Sequence, residues 1–385
     1  MKILLYIPQT AFTTDSNREL VTSLNTCLRK TCHSDIVHNY SPKMLDGISL
    51  LHVFGCWNRE AAKVMKKATK AGIPTVFSPL GGLEPWSIKG KHTKRRLQAA
   101  SYQRSMTRQA SAVHVGGRFE QEMFSKLKWN SRIAIIKNPA LTSLVSPEKM
   151  TEEMLHLYQK VFDSNVCTLL SPTASEALSH LLHAAINDRL PNMPDAMAEA
   201  HAALDATDDT DWRNICIYAD DEHITDYLEK GIRVMQYNKE LVVVEESQRF
   251  IGKSSYADGD IKHDDVLSSN IMLKSNVEDL ASDEQKTEFE LCMMILNIRH
   301  ELSHQSLPLR HVLNLAERLM ADNYDEDSLI VMLTATGALK FMARLEAAMQ
   351  SIVRLNEGYM PVRPIYDRLT DEMTARITKL KTTIK

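Results

Sequence analysis

The chain has six cysteines, Cys27, Cys32, Cys56, Cys167, Cys216 and Cys292, and no two are spaced C-x-x-C. That absence removes the usual paired-cysteine redox and zinc patterns, and the scattered thiols read as reduced and packed. The opening MKILLYIPQT has too short an apolar run for a secretory leader and lacks a small-residue cleavage site. It reads instead as a first buried strand. No apolar run reaches the roughly 18 residues that a membrane span needs. A net charge of -3 gives no basic excess for a nucleic-acid partner. Neither an internal repeat nor a low-complexity tract is present. Together these absences place the chain in the cytoplasm or peripherally at the inner membrane face.

What is present is ordinary soluble composition, 44% apolar and 25% charged, over a length of 385 residues that suits two or three domains. Six short β-rich runs are expected as strands: Lys2–Ile7, Asp35–Asn39, Ser49–Phe54, Pro74–Ser78, Ala112–Val115 and Ile133–Lys137. Helical stretches separate most of them, at Ser16–Arg29, Arg59–Ala71, Lys91–Arg108 and Arg118–Leu127. This alternation predicts an α/β fold, a doubly wound parallel sheet with right-handed crossovers, over residues 1–148.

Residues 149–275 read as a diverged smaller α/β or mostly helical domain. It has a helix at Thr151–Phe162, a helix plus acidic linker over Pro191–Trp212, strands at Asn214–Tyr218 and Leu241–Val244, and a helix at Asp221–Lys230 broken at Gly231. Arg249–Asp265 reads as a polar loop. Residues 276–385 read as an all-helical hairpin or bundle. Ser282 and Gln285 form a capping box, Leu291, Ile295, Ile298 and Leu302 a stripe, and Pro308 a break. One long segment then runs from Asp327 to Leu355, closed by Asn356 and Gly358.

The fourth strand runs into Pro79-Leu80-Gly81-Gly82-Leu83-Glu84-Pro85-Trp86. Ligands of open α/β sheets bind beyond the carboxyl ends of strands, and glycines there admit a ligand to the backbone. The series His52-Val-Phe-Gly-Cys-Trp57, Gly72-Ile-Pro-Thr-Val-Phe-Ser-Pro79, Gly81-Gly82-Leu83-Glu84-Pro85-Trp86, a basic helix, and Ile133–Pro139 resembles the amino-terminal half of family 4 glycosyltransferases, enzymes of the two-Rossmann GT-B fold. The resemblance covers about residues 1–140. It implies transfer of a sugar from a nucleotide-sugar co-substrate to a polysaccharide or lipid-linked acceptor, with no other cofactor and no metal. On that resemblance Trp57, Ser78, Gly81, Gly82, Glu84 and Trp86 line the cleft. Lys94 and Arg95 touch an acceptor phosphate, Asn138 sits at the hinge side, and His52 is the candidate base.

The chain also departs from the family. Leu80 stands where the family carries histidine, and leucine neither donates nor accepts a proton. The first loop, Pro8–Asn17, has no glycine, and no Glu-x7-Glu pair follows; Glu222 and Glu229 are one residue too close. The alternative reading is therefore a catalytically inactive protein of this fold, a binding or scaffold subunit with its carboxyl-terminal helices as the partner surface.

Two further features bear on partners. From Pro85 to Phe119 there is no acidic residue, while Lys89, Lys91, Lys94, Arg95, Arg96, Arg104, Arg108 and Arg118 fall in or at the end of that window. Residues 89–108 read as a solvated face or as a contact for an anionic membrane surface. His300-Glu301-Leu302-Ser303-His304 matches H-E-x-x-H, but no third ligand stands at the required spacing, so a polar helix face is the expectation.

Overall fold

The computed structural model describes residues 1–11, 14–85, 92–245, 248–250, 285–304 and 307–380. The chain forms two compact units. The first comprises Met1–Thr168 and takes in Phe250; the second begins at Leu169.

The first unit holds β1 (Lys2–Tyr6), β2 (His33–Val37), β3 (Leu50–Phe54), β4 (Thr75–Ser78), β5 (Ala112–Val115) and β6 (Ile133–Ile135). They make one all-parallel sheet in the order β2-β1-β3-β4-β5-β6. All six expected strands are present, each within two residues or so of its expected limits.

Both faces are covered, as the near-continuous apolar runs require. Ile3, Leu5, Leu50, Phe54, Val76 and Ala112 point to one face, against α1 (Asp15–Leu28) and α6 (Pro147–Asp163). Leu4, Tyr6, Leu51, Val53, Phe77 and Val113 point to the other. There they meet α2 (Arg59–Lys70), α4 (Arg104–Gln109) and α5 (Arg118–Leu127). Helix starts follow local chemistry: Asn58 accepts the Ala61 N–H at 2.9 Å ahead of α2, and Ser146 accepts the Lys149 N–H at 3.2 Å with Pro147 opening α6.

The basic segment is helical throughout its described part. It runs as α3 (His92–Gln98), a wide π-type turn over Ala99–Gln103, and then α4.

The described part of the second unit contains helices and no strand. It holds α7 (Pro172–Ile186), α8 (Pro194–Asp205), α9 (Asp209–Asp221), α10 (Thr225–Val234), α11 (Lys286–His304), α12 (Leu309–Ala321), α13 (Glu326–Ala335), α14 (Leu339–Val353) and α15 (Arg368–Thr378). The Ala-rich α7 is central and packs on α8, α9, α10, α12 and α14.

Several expectations are corrected here. Asn214–Tyr218 is the middle of α9, not a strand. Asp208 caps that helix by accepting the Asp211 N–H at 2.7 Å, and Asn214 to Ala219 are all buried, so no amphipathic period marks the run as helical. Leu241–Val244 is not a strand either; the Val242 N–H donates to the Cys216 sulfur and Val243 is exposed. Gly231 lies inside α10 and does not end it. The long segment from Asp327 is two helices, parted at Gly337, whose φ of 64° suits glycine. The stripe Leu291, Ile295, Ile298 and Leu302 is buried, and Pro308 does precede a new helix. Ser282 and most of Arg249–Asp265 lie outside the described residues. Among the described residues no helix is long and apolar enough to cross a membrane.

Glu222, one of the near-miss glutamates, has a packing role. It is buried, accepts the Leu309 N–H that opens α12 at 3.0 Å, and pairs with Lys379 at 2.7 Å. Glu222→Ala is expected to cost about 3 kcal/mol, because an ammonium and an amide lose their acceptor together. Urea unfolding of the variant checks this.

Candidate functional site

β3, β4 and β6 and the loops at their carboxyl ends carry most of the sequence-marked residues. In this strand order the switch point lies between β1 and β3, where ligands of such sheets are held. Here the chain itself fills that place. Gly55, just past β3, has φ 83°, and a Cβ on it would lie 2.5 Å from the Ala11 Cβ. Beside it the Asn58 amide donates to the Thr10 hydroxyl at 3.2 Å.

The Pro79–Glu84 loop is tied to its surroundings through Trp57. The indole N–H donates to the Gly82 carbonyl at 2.7 Å, the Trp57 N–H donates to Gln103 Oε1 at 2.7 Å, and the Tyr102 hydroxyl donates to the Trp57 carbonyl at 2.9 Å. The π-type turn brings Tyr102 and Gln103 to bear on one residue, a recurrent use of such turns. Trp57 is held at φ 63° by these three bonds. The Arg95 guanidinium lies 4.5 Å over its ring, so Arg95 faces inward, while Lys94 is exposed.

Gly82 serves packing. A Cβ there would come within 2.8 Å of the Cys56 Cβ and 3.0 Å of the Pro79 carbonyl oxygen. Leu80 and Gly81 both lie in the left-handed region, φ 53° and 71°, and the Leu80 side chain is anchored in the apolar cluster under α1 and α6.

This turn aims the Gly81 N–H at Glu120. The Glu120 carboxylate accepts that N–H at 2.8 Å through one oxygen and the Gly116 N–H at 2.8 Å through the other. It thus bridges the loops after β4 and β5. Glu84 lies on the same glycine, 3.2 Å from where a Gly81 Cβ would be. Burial and the Glu120 charge both raise its carboxyl.

Below the loop, on the α1/α6 face, runs a buried polar chain. Tyr158 hydroxyl and His52 Nδ1 are 2.8 Å apart, His52 Nε2 and Ser78 Oγ 2.7 Å, Ser78 Oγ and His114 Nδ1 2.7 Å, and His114 Nε2 and the Ile136 carbonyl 3.0 Å. Burial pushes both histidines down, His52 well below the usual imidazole range, and keeps the Tyr158 phenol protonated. With neutral rings only one proton arrangement satisfies all members. The carbonyl can only accept, so His114 donates from Nε2. Ser78 then donates to His114, His52 to Ser78, and Tyr158 to His52.

His52 and Ser78 are therefore fully buried with their polar atoms in use, and neither lines an opening. Asn138 is also buried; it donates to the Ser16 carbonyl at 3.3 Å and accepts the Ala140 N–H at 2.9 Å, shaping the turn after β6. Trp86 lies outside the described residues. The structure thus gathers Trp57, Gly81, Gly82, Glu84 and Arg95 around one loop and leaves His52, Ser78, Lys94 and Asn138 apart from it. Sequence reasoning missed Glu120, although it is the first acid after the acid-free window. It also missed His114 and Tyr158, whose roles come from neighbouring strands and a distant helix.

The histidine chain has a pH signature. Each folded-state value lies below the unfolded value of about 6.5, so the neutral-ring stability is complete above that pH. It falls by up to about 1.4 kcal/mol per pH unit per histidine as pH drops from there toward the folded values. Denaturant midpoints from pH 7.5 to 5 check this. Ser78→Ala, which strands a donor and an acceptor, is expected to cost about 2 kcal/mol at pH 7.5.

The H-E-x-x-H helix forms no ligand set. Glu301 is buried against His311 Nδ1 at 2.7 Å, and the His304 ring bonds the His300 carbonyl at 2.8 Å. Among the described residues no group of three or more metal-binding side chains occurs.

Fold and site define a doubly wound, Rossmann-like parallel α/β unit followed by a unit that is helical in its described residues. No protein-family model, no curated protein and no solved structure matches this chain.

Proposed function

We propose that this protein uses a glycosyltransferase-like sheet domain to bind rather than to transfer sugar. The observation carrying this reading is the Glu120 carboxylate on the Gly81 and Gly116 amides. Those N–H groups, beyond the ends of β4 and β5, are the donors a nucleotide phosphate would use. A tethered carboxylate already holds them, and Glu84 beside it adds a second negative charge. Ala11 against Gly55 closes the neighbouring switch point, and Leu80 brings no proton carrier. Exposed Tyr366 and Leu369 on the helical unit are where a protein partner is sought first.

The second reading is a working transferase with a glycan or lipid-linked acceptor, Lys94 and its neighbours facing an anionic membrane surface. It is favoured by the convergence of Trp57, Gly82 and Arg95 on one loop. It requires Glu120 to leave its amides when a donor arrives.

Incubation with UDP-, GDP- and ADP-sugars separates the two. The expected result is no release of nucleoside diphosphate by the wild type, and pyrophosphate binding gained in Glu120→Ala, where two amide donors are freed. Turnover that is abolished in Glu84→Ala overturns the binding reading.

A further inference from the structure

At the opposite, strand-start edge of the sheet lies an open basin of about 730 Å³, within the size range of small-ligand sites. The end of α4, the end of α5 and the loop into β6 build it, and Asn165 closes it from beyond α6. Its charged lining residues are Arg108, Lys128 and Arg132, and no carboxylate lines it. Among the described residues none of the three cations forms an ion pair.

Arg108 in the last turn of α4 and Lys128 at the left-handed cap of α5 suit the negative ends of those helices. That accounts for two of the cations but not for Arg132, which ends no helix. Arg132 is half-buried, and burial alone pushes its guanidinium down, with no acidic group opposing. A desolvated guanidinium facing an open basin beside two more cations is an arrangement that an anion completes. Trp129 packs one side on the sheet core and lines the basin. A ring there gives a flat ligand a surface to stack on.

We propose that this basin binds an organic phosphate of mononucleotide size, with the phosphate on Arg132, Arg108 and Lys128 and the ring on Trp129. The site is independent of the loop at the other edge of the sheet and of the function proposed for it.

Calorimetry with AMP and UMP, beside adenosine and uridine, tests the proposal on the full chain. Saturable binding of a mononucleotide at one per chain is expected. It should weaken at least tenfold in Arg132→Gln and in the Arg108→Gln/Lys128→Gln double variant, and weaken with added salt. The double variant changes only residues at helix ends, so its fold is kept even if Arg132→Gln is unstable. Absence of binding at millimolar mononucleotide, equal binding of the nucleosides, or full affinity in the double variant overturns it.

Discussion

Gly231→Ala is expected to lower the stability of the helical unit by about 3 kcal/mol, a fall in melting temperature of roughly 10 °C. In an isolated helix the change would help by about 1 kcal/mol, because alanine is the better helix former. Packing reverses the sign. A Cβ on Gly231 would lie 2.2 Å from the Leu181 carbonyl oxygen and 3.0 Å from its carbon. Both are backbone atoms of α7, so no side chain can turn aside and the helices themselves must separate. Gly358 is the control: a Cβ there meets nothing within 4 Å, and Gly358→Ala is expected to change stability by less than about 0.5 kcal/mol. Thermal and urea unfolding of the two variants measure the contrast. Equal stabilities would remove the close α7–α10 crossing as a determinant.

Glu346→Gln is expected to act the other way and stabilise the protein at neutral pH. Glu346 is fully buried in α14; one oxygen accepts the Val362 N–H at 3.1 Å and the other has no partner. Burial, offset in part by that amide and reinforced by Glu326, pushes the carboxyl up to about 8. The folded value lies above the unfolded one of about 4.3, so the stability linked to this group is complete below that pH. It is lost at about 1.4 kcal/mol per unit as pH rises toward 8. Glutamine keeps the acceptor for Val362 and carries no charge to bury. The variant should match the wild type near pH 4.5 and exceed it by about 3 kcal/mol at pH 7. Denaturant titrations of both proteins across that range decide it, and a difference independent of pH overturns the assignment.

The sheet was legible because the inner strands β1, β3, β4 and β5 are short, largely apolar runs between turn residues, buried along almost their whole length. The helical unit was less so, for the same physical reason turned around. NICIY in α9 is β-branched and wholly buried, so its period vanished and local preference pointed to a strand, while the deciding Asp208 cap lies six residues upstream. Gly231 was read through its weak helix preference when its role is to let another backbone approach. At the candidate loop, Trp57, Gly82 and Arg95 were marked by pattern and do meet. Gly82, however, is required by Cys56 and Pro79, and the loop's amide partner, Glu120, comes from a helix 39 residues past Gly81. Contacts at that separation leave no local trace.

The polar chain beneath the loop has a mechanical consequence. Tyr158, His52, Ser78, His114 and the Ile136 carbonyl run obliquely across β3, β4, β5 and the end of β6, since His52 is level with Val76 and His114 with Ala134, each two residues short of the next group in the chain. Backbone ladders hold neighbouring strands together but resist sliding weakly at their ends. A row of side-chain bonds across the same strands acts like a slanted line of rivets. It fixes the height of each strand relative to the next, so the loops above are carried on a stiff ledge, where Glu120 ties two of them together.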